Sequence, residues 1–230
     1  MPKNTAPSKD IRAQGYVIQR TNYGESDRIL NIITPLGKFA VIAKSVRKPR
    51  SKLAGAVELF TLSDYNIHLG HSELGVLTGA RMIEHYSEIL KDLERLKLAS
   101  LILKKINAAS EHANSKEYFE LTRQTLSGLN NSLPSNLIEA WFLLHLTKAT
   151  GEEINLYHDS SGAKLSADKR YHYDISQTAF TENPKGEYGE NEIKALRLFT
   201  NANLKLVQKI KLTDELTAKI LNFARIVAHM

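Results

Sequence analysis

From Ile11 to about Ala80 the chain alternates apolar and polar residues with the period of two that marks half-buried strands. Phe39, Val41 and Ala43 alternate with Ala40, Ile42 and Lys44, and Tyr65, Ile67 and Leu69 alternate with Asn66 and His68. Gly or Pro interrupts the pattern at Asn22-Tyr23-Gly24, Pro35-Leu36-Gly37 and Leu69-Gly70-His71, where it supplies turn geometry. About five short strands in about 70 residues predict a small closed barrel rather than a two-layer sandwich.

After Arg81 the period changes. Met82, Tyr86, Ile89, Leu90, Leu93, Leu96, Leu101, Ile102 and Ile106 fall on one helical face, with Lys and Glu opposite. A second helix is expected over Lys116–Leu129, and a third from about Pro134 to a stop at Gly151. The stripe of this third helix, Leu137, Ile138, Trp141, Phe142 and Leu146, reads as core. Residues 152–188 alternate as Tyr171-His172-Tyr173-Asp174-Ile175 between scattered glycines, which predicts a hairpin-rich insert. Helices resume at about Glu190–Asn201, Leu204–Ile210 and Asp214–Ala228, the last with Thr213 as its N-cap.

Charge adds what the pattern lacks. The chain of 230 residues has a net charge of +6, and residues 1–54 hold eleven Lys/Arg against three Asp/Glu. The rest carries a small acidic excess, so all of the surplus positive charge sits in the first quarter, which points to a polyanionic partner for the barrel. It is densest over Lys38–Lys52, with Lys38, Lys44, Arg47, Lys48, Arg50 and Lys52 and no acid. A short apolar strand leads into a loop over Val46–Lys52, held by Pro49. Phosphate binding is largely charge neutralisation with counterion release, and Arg adds bidentate contacts. Nothing in this loop suggests base readout. Among closed barrels of this size the OB-fold is the commonest oligonucleotide binder.

Composition excludes several classes. No apolar run reaches the roughly 18–20 residues that cross a bilayer, and Met1–Asp10 is polar with no signal core, so a cytoplasmic protein is expected. With no cysteine there is no disulfide, thiol nucleophile or thiolate-ligated zinc. Gly37-Lys38 lacks the phosphate-loop frame, and there is no G-x-S-x-G elbow. His68 and His71 flank Gly70 in a predicted turn, and two histidines alone rarely hold a metal. Non-enzyme, cofactor-free and metal-free is the expectation.

Two ordered blocks resemble a known family. Gly15-Tyr16-Val17-Ile18 followed by Asn22-Tyr23-Gly24-Glu25-Ser26-Asp27-Arg28-Ile29-Leu30 resembles the opening of RecO proteins. Gly37-Lys38-Phe39-Ala40-Val41-Ile42-Ala43-Lys44, running on through Pro49-Arg50-Ser51-Lys52-Leu53-Ala54-Gly55 to Phe60, resembles that family's next segment. The similarity is strong over residues 15–60 and collinear over nearly the whole chain.

The resemblance implies an α+β chain: an N-terminal five-stranded OB-fold at 9–80, then a helical domain at 81–230 with the insert at 152–188. It also implies a recombination mediator of RecF-type repair, binding single- and double-stranded DNA, annealing strands, and working with RecR. Such proteins bind the acidic tail of single-strand-binding protein (SSB) and help load RecA on SSB-coated DNA. Carried over, the DNA-contacting candidates are Lys44, Arg47, Lys48, Arg50 and Lys52, with Arg28 and Lys38 secondary. Many relatives carry a four-cysteine zinc ribbon in the insert. Here Leu156–Gly162 takes that place, with His158 and Ser161 at cysteine positions. A zinc-free insert is therefore expected, stabilised by Tyr171, Tyr173, Ile175 and Phe180. The alternatives are a protein-interaction scaffold with weak DNA contact and, on fold analogy alone, an RNA-binding protein of translation.

Overall fold

The computed structural model describes residues 9–72, 74–110, 115–152 and 154–228. The chain forms two compact units, Met1–Asn131 and Ser132–Met230.

In the first unit five strands, β1 (Lys9–Tyr23), β2 (Asp27–Thr34), β3 (Gly37–Ala43), β4 (Thr61–Leu69) and β5 (Gly75–His85), close a barrel in the order β1-β2-β3-β5-β4. Every neighbouring pair is antiparallel except β3 and β5, which close the barrel through the parallel pairs Val41–Gly75 and Ile42–Val76. The period-two alternation decides which residues turn inward. Val41 and Ala43 are buried while Ala40 is exposed, and Tyr65 and Ile67 are buried while Asn66 is exposed. The interior collects Ile11, Val17, Leu30, Ile32, Val41, Tyr65 and Leu77, together with Val46 and Val57 from the long β3–β4 connection.

The outer side of β1 and β2 is not left to water. Helices α1 (Leu93–Ala109) and α2 (Ser115–Asn130) pack against these strands. Tyr16, Ile18 and Ile33 are buried there, with the Tyr16 ring 5.6 Å from that of Phe119 on α2. Tyr16 and Tyr86 share a buried 3.0 Å hydrogen bond between hydroxyls.

The predicted helix after Arg81 begins later than the periodicity suggests. Residues 81–85 continue β5, held by pairing such as Ser63–Met82 and Thr61–His85. A 3-10 turn over Ser87–Lys91 follows, and α1 starts only at Leu93, capped by the Asp92 carboxylate accepting from the Arg95 N–H at 3.0 Å. Tertiary pairing with β4 overrides the local period, so Met82, Leu90, Leu93 and Leu101 are exposed rather than in the expected core stripe.

The second unit contains α3 (Ser135–Ala149), the hairpin β6 (Tyr171–Asp174) and β7 (Ala179–Glu182), and α4 (Glu190–Asn201), α5 (Leu204–Val207) and α6 (Asp214–Val227). The α3 stripe is core as expected, and Trp141 donates to the Ala202 carbonyl at 2.8 Å. Thr213 caps α6 by accepting from the Leu216 N–H at 3.2 Å.

In the insert Tyr171, Tyr173 and Phe180 are buried, but Ile175 is 53% exposed, correcting its expected packing role. β6 ends at Asp174, and the turn through Thr178 (φ +52°) breaks the parity that would have turned Ile175 inward. Tyr188 and Phe223 take its place. The Tyr173, Phe180 and Tyr188 rings all meet Phe223 at centroid distances of 4.8–5.8 Å. Gly186 is required where the chain crosses Tyr171, because a Cβ would lie 2.3 Å from the Tyr171 backbone.

Candidate nucleic-acid interface

The two sequence blocks meet in space at one end of the barrel. The β1–β2 turn brings Gly24–Asp27 beside the start of the β3–β4 connection, and three bonds fasten them. Asp27 Oδ1 accepts from the Ser45 N–H at 2.6 Å, the Ser26 carbonyl from the Arg47 N–H at 2.8 Å, and the Gly24 carbonyl from Arg47 Nη1 at 3.3 Å. Ser45 adopts φ +54°, a left-handed conformation that costs a non-glycine residue about 1–2 kcal/mol. The Asp27 bond and the burial of the next residue, Val46, hold it there.

Beyond Val46 the loop advances as overlapping turns, Lys48 N–H to the Ser45 carbonyl at 3.2 Å and Ser51 N–H to the Lys48 carbonyl at 3.0 Å. Ala56 and Val57 then re-enter the core. The loop is thus pinned at both ends by buried apolar residues. Lys44, Arg47, Lys48, Arg50 and Lys52 between them are exposed, and among the described residues none of the five is paired with a carboxylate. A pinned arc of uncompensated cations is what electrostatic attraction to a polyanion requires.

The two secondary candidates lie in different surroundings. Lys38, half-buried on β3, donates from Nζ to the Asn107 carbonyl near the end of α1 at 2.7 Å. Beside it Gln19, Asn31 and Asn107 join β1, β2 and α1 through side-chain bonds of 2.8–3.0 Å. The strand 2–3 face that many OB-folds use for oligonucleotides is therefore partly covered by this helix end.

Arg28, at the start of β2, donates from Nη1 to Glu58 Oε1 at 2.9 Å, and its Nε is buried without a partner. Arg20 on β1 binds the other carboxylate oxygen of Glu58. Burial alone would raise the Glu58 carboxyl, but the Arg28 and Arg20 guanidiniums outweigh it and hold the group below the usual carboxylate range. Neither Arg20 nor Glu58 stands out in the sequence. Their meeting depends on strand register (Arg20 opposite Leu30, Asn22 opposite Arg28) and on where the long loop returns, which no local motif encodes.

His68 is used locally: Nδ1 lies 2.8 Å from Asp10 Oδ1 on the neighbouring strand. No group of three or more potential metal ligands occurs among the described residues. No helix among them is long and apolar enough to cross a membrane.

Comparison with known proteins accounts for both units. The family described as "Recombination protein O N terminal" matches residues 9–86, and "Recombination protein O C terminal" matches residues 90–226. A "DNA repair protein RecO" of Roseiflexus sp. is 33% identical over 157 residues, covering 67% of this chain but only 55% of that protein. The same-named protein of Dehalococcoides mccartyi is 26% identical over 92% of this chain and 86% of its own length. That of Listeria monocytogenes is 28% identical over 82% and 76%.

Proposed function

The chain belongs to the RecO family of DNA repair proteins, and from that premise we propose that it is a recombination mediator whose loop Lys44–Lys52 grips the phosphate backbone of DNA. The observation that carries this reading is the pinned arc of five exposed cations without a carboxylate partner among the described residues. The reading assigns DNA binding to the barrel at 9–80 and partner contacts to the helical part at 81–230 with its insert at 152–188. Single- and double-stranded DNA are both accepted, because phosphate neutralisation is indifferent to sequence and largely to strand number. Arg28 and Lys38 act as supports, each already engaged with a neighbour. The activities that follow are annealing of complementary strands and, with RecR, loading of RecA on SSB-coated DNA in the bacterial cytoplasm at the nucleoid. No catalysis is part of the role.

The test is annealing of SSB-coated complementary oligonucleotides by wild type and by the K48E/R50E double reversal. Wild type should anneal and the reversal should not. In direct binding, about five neutralised phosphates at about 0.7–0.9 counterions each give a log–log salt slope of roughly −3 to −5. Binding indifferent to salt and to the reversal would sink the assignment.

One observation favours the scaffold reading as a companion. In the second unit α4 and α6 border a groove of about 410 Å³ lined by Leu198, Ile210, Leu212 and Leu216 together with Glu192, Lys194, Glu215 and Lys219, the two lysines being paired with glutamates. Such a groove suits an apolar side chain of a partner peptide such as the SSB tail, whose acids would have to compete with Glu190, Glu192 and Glu215 for the two lysines. Tail binding alongside negligible affinity for bare DNA would make the scaffold role primary.

A further inference from the structure

Beside the loop, two guanidiniums converge on one carboxylate. Glu58 follows the buried Val57 and precedes the buried Phe60, so its backbone is fixed by the core. Arg28 is also fixed, with a side chain only 20% exposed and its Nε enclosed. Arg20 is different: its side chain is 34% exposed, and Glu58 is its one side-chain partner among the described residues. One anion for two cations leaves a net positive charge at the barrel end that carries the basic loop. Carboxylate and phosphate offer a guanidinium the same paired oxygen acceptors, so a phosphate reaching this rim competes with Glu58 for a cation that is partly in solvent.

We propose that Glu58 is a built-in competitor for DNA phosphate, holding Arg20 in reserve, and that a backbone phosphate delivered by the Lys44–Lys52 loop displaces it from Arg20. The inference rests on the loop being the DNA grip. It adds Arg20 as a further phosphate-binding residue and Glu58 as the group that restrains it. Arg28 stays on the carboxylate throughout and keeps Glu58 from becoming an unpaired half-buried charge, which would be far more costly. The restraint weakens the hold on DNA without removing a cation from the surface, which suits a protein that must release the strand it delivers.

The experiment is fluorescence anisotropy of a labelled oligothymidylate across a sodium chloride series with wild type, E58Q, R20Q, R20Q/E58Q and K48E/R50E. E58Q should bind several-fold tighter than wild type at low salt, with a slope steeper by about 0.7–0.9, because Arg20 is then not already neutralised by a carboxylate when the phosphate arrives. R20Q should weaken binding little in the wild-type background and at least about threefold more in the E58Q background, since only coupled groups depart from additivity. A simple change of net charge predicts equal effects of R20Q in both backgrounds, and that result would overturn the proposal. If E58Q melts early, E58D measures the same coupling, its shorter arm reaching one arginine instead of two. Wild-type binding that is lost in K48E/R50E but shows no coupling ends the role of Glu58 alone. No binding by wild type ends both that role and the loop assignment.

Discussion

The carboxylate of Asp27 reaches across the barrel rim to accept a 2.6 Å hydrogen bond from the backbone N–H of Ser45. The bond joins the turn between the first two strands to the root of the basic loop, and it supports a left-handed residue that would otherwise relax. Asp27→Ala should therefore cost about 1–3 kcal/mol, the penalty of orphaning a buried or half-buried donor, and should loosen the loop. DNA affinity should fall several-fold with little change in salt slope, because no cation is lost. Thermal melting and a salt titration of the same variant check both parts; tighter binding with a steeper slope would point to the lost anionic charge rather than to geometry.

The Tyr16–Tyr86 hydroxyl pair predicts an asymmetry between single and double substitutions. Burial is the main cause that pushes both phenols up, Tyr86 to about 12 and Tyr16 beyond it, so both remain protonated and bonded under ordinary conditions. Tyr86→Phe strands a buried hydroxyl and should cost about 1–3 kcal/mol, whereas the Tyr16→Phe/Tyr86→Phe double should be nearly neutral. Denaturant melts of the cycle measure the difference. A double variant as unstable as the sum of the singles would show that the rings, not the hydroxyls, matter.

Acid should open the insert before the barrel. Asp159 lies below the ordinary carboxylate value chiefly because the Ser161 hydroxyl donates to it at 2.7 Å, with the Ser161 and Ala163 amides adding at 2.9 and 3.0 Å. Asp174 is lowered in the same way by the Ser176 hydroxyl at 2.6 Å and its amide at 2.8 Å. A carboxyl whose folded pKa is depressed stabilises fully above its unfolded value, near 3.9, and loses that contribution as pH falls through the folded value. Amide protection in residues 155–182, taken relative to intrinsic exchange at each pH, should fall below about pH 4, and Asp159→Asn with Asp174→Asn should flatten that acid limb. Protection indifferent to pH would remove these turns from the stability of the insert.

The aromatic cluster predicts how the insert holds together without thiolate ligands. Phe180 is fully buried and touches Tyr173, Tyr188 and Phe223. Phe180→Ala should cost about 3–5 kcal/mol, while a chelator should leave the wild-type melting temperature unchanged. Calorimetry with and without chelator reads both. A chelator-dependent midpoint would mean that a metal contributes after all.

The barrel was legible because its inward positions follow a strict parity, as Val41, Ala43, Tyr65 and Ile67 do. The α3 stripe around Trp141 and the Thr213 cap were legible for the same reason, since local period and local hydrogen bonding coincide there. Met82 was not, because four-residue spacing fits a helix as well as it fits even positions along a strand, and pairing with β4 decides between them. Ile175 failed at a turn, where parity ends without a strong sequence mark. In the candidate interface the loop cations were readable as a charge run, whereas Arg20 and Glu58 required register and loop return to be known.

Among the described residues two parallel pairs, Val41–Gly75 and Ile42–Val76, make the seam between β3 and β5, while the other seams run along most of their strands. The basic loop departs from β3 directly after that short seam. A strand of DNA pulling on the loop therefore loads the joint with the fewest bonds to break, and partial parting there would leave the other four seams intact. The barrel under tension would behave as a ring with a clasp, yielding beside the root of the basic loop.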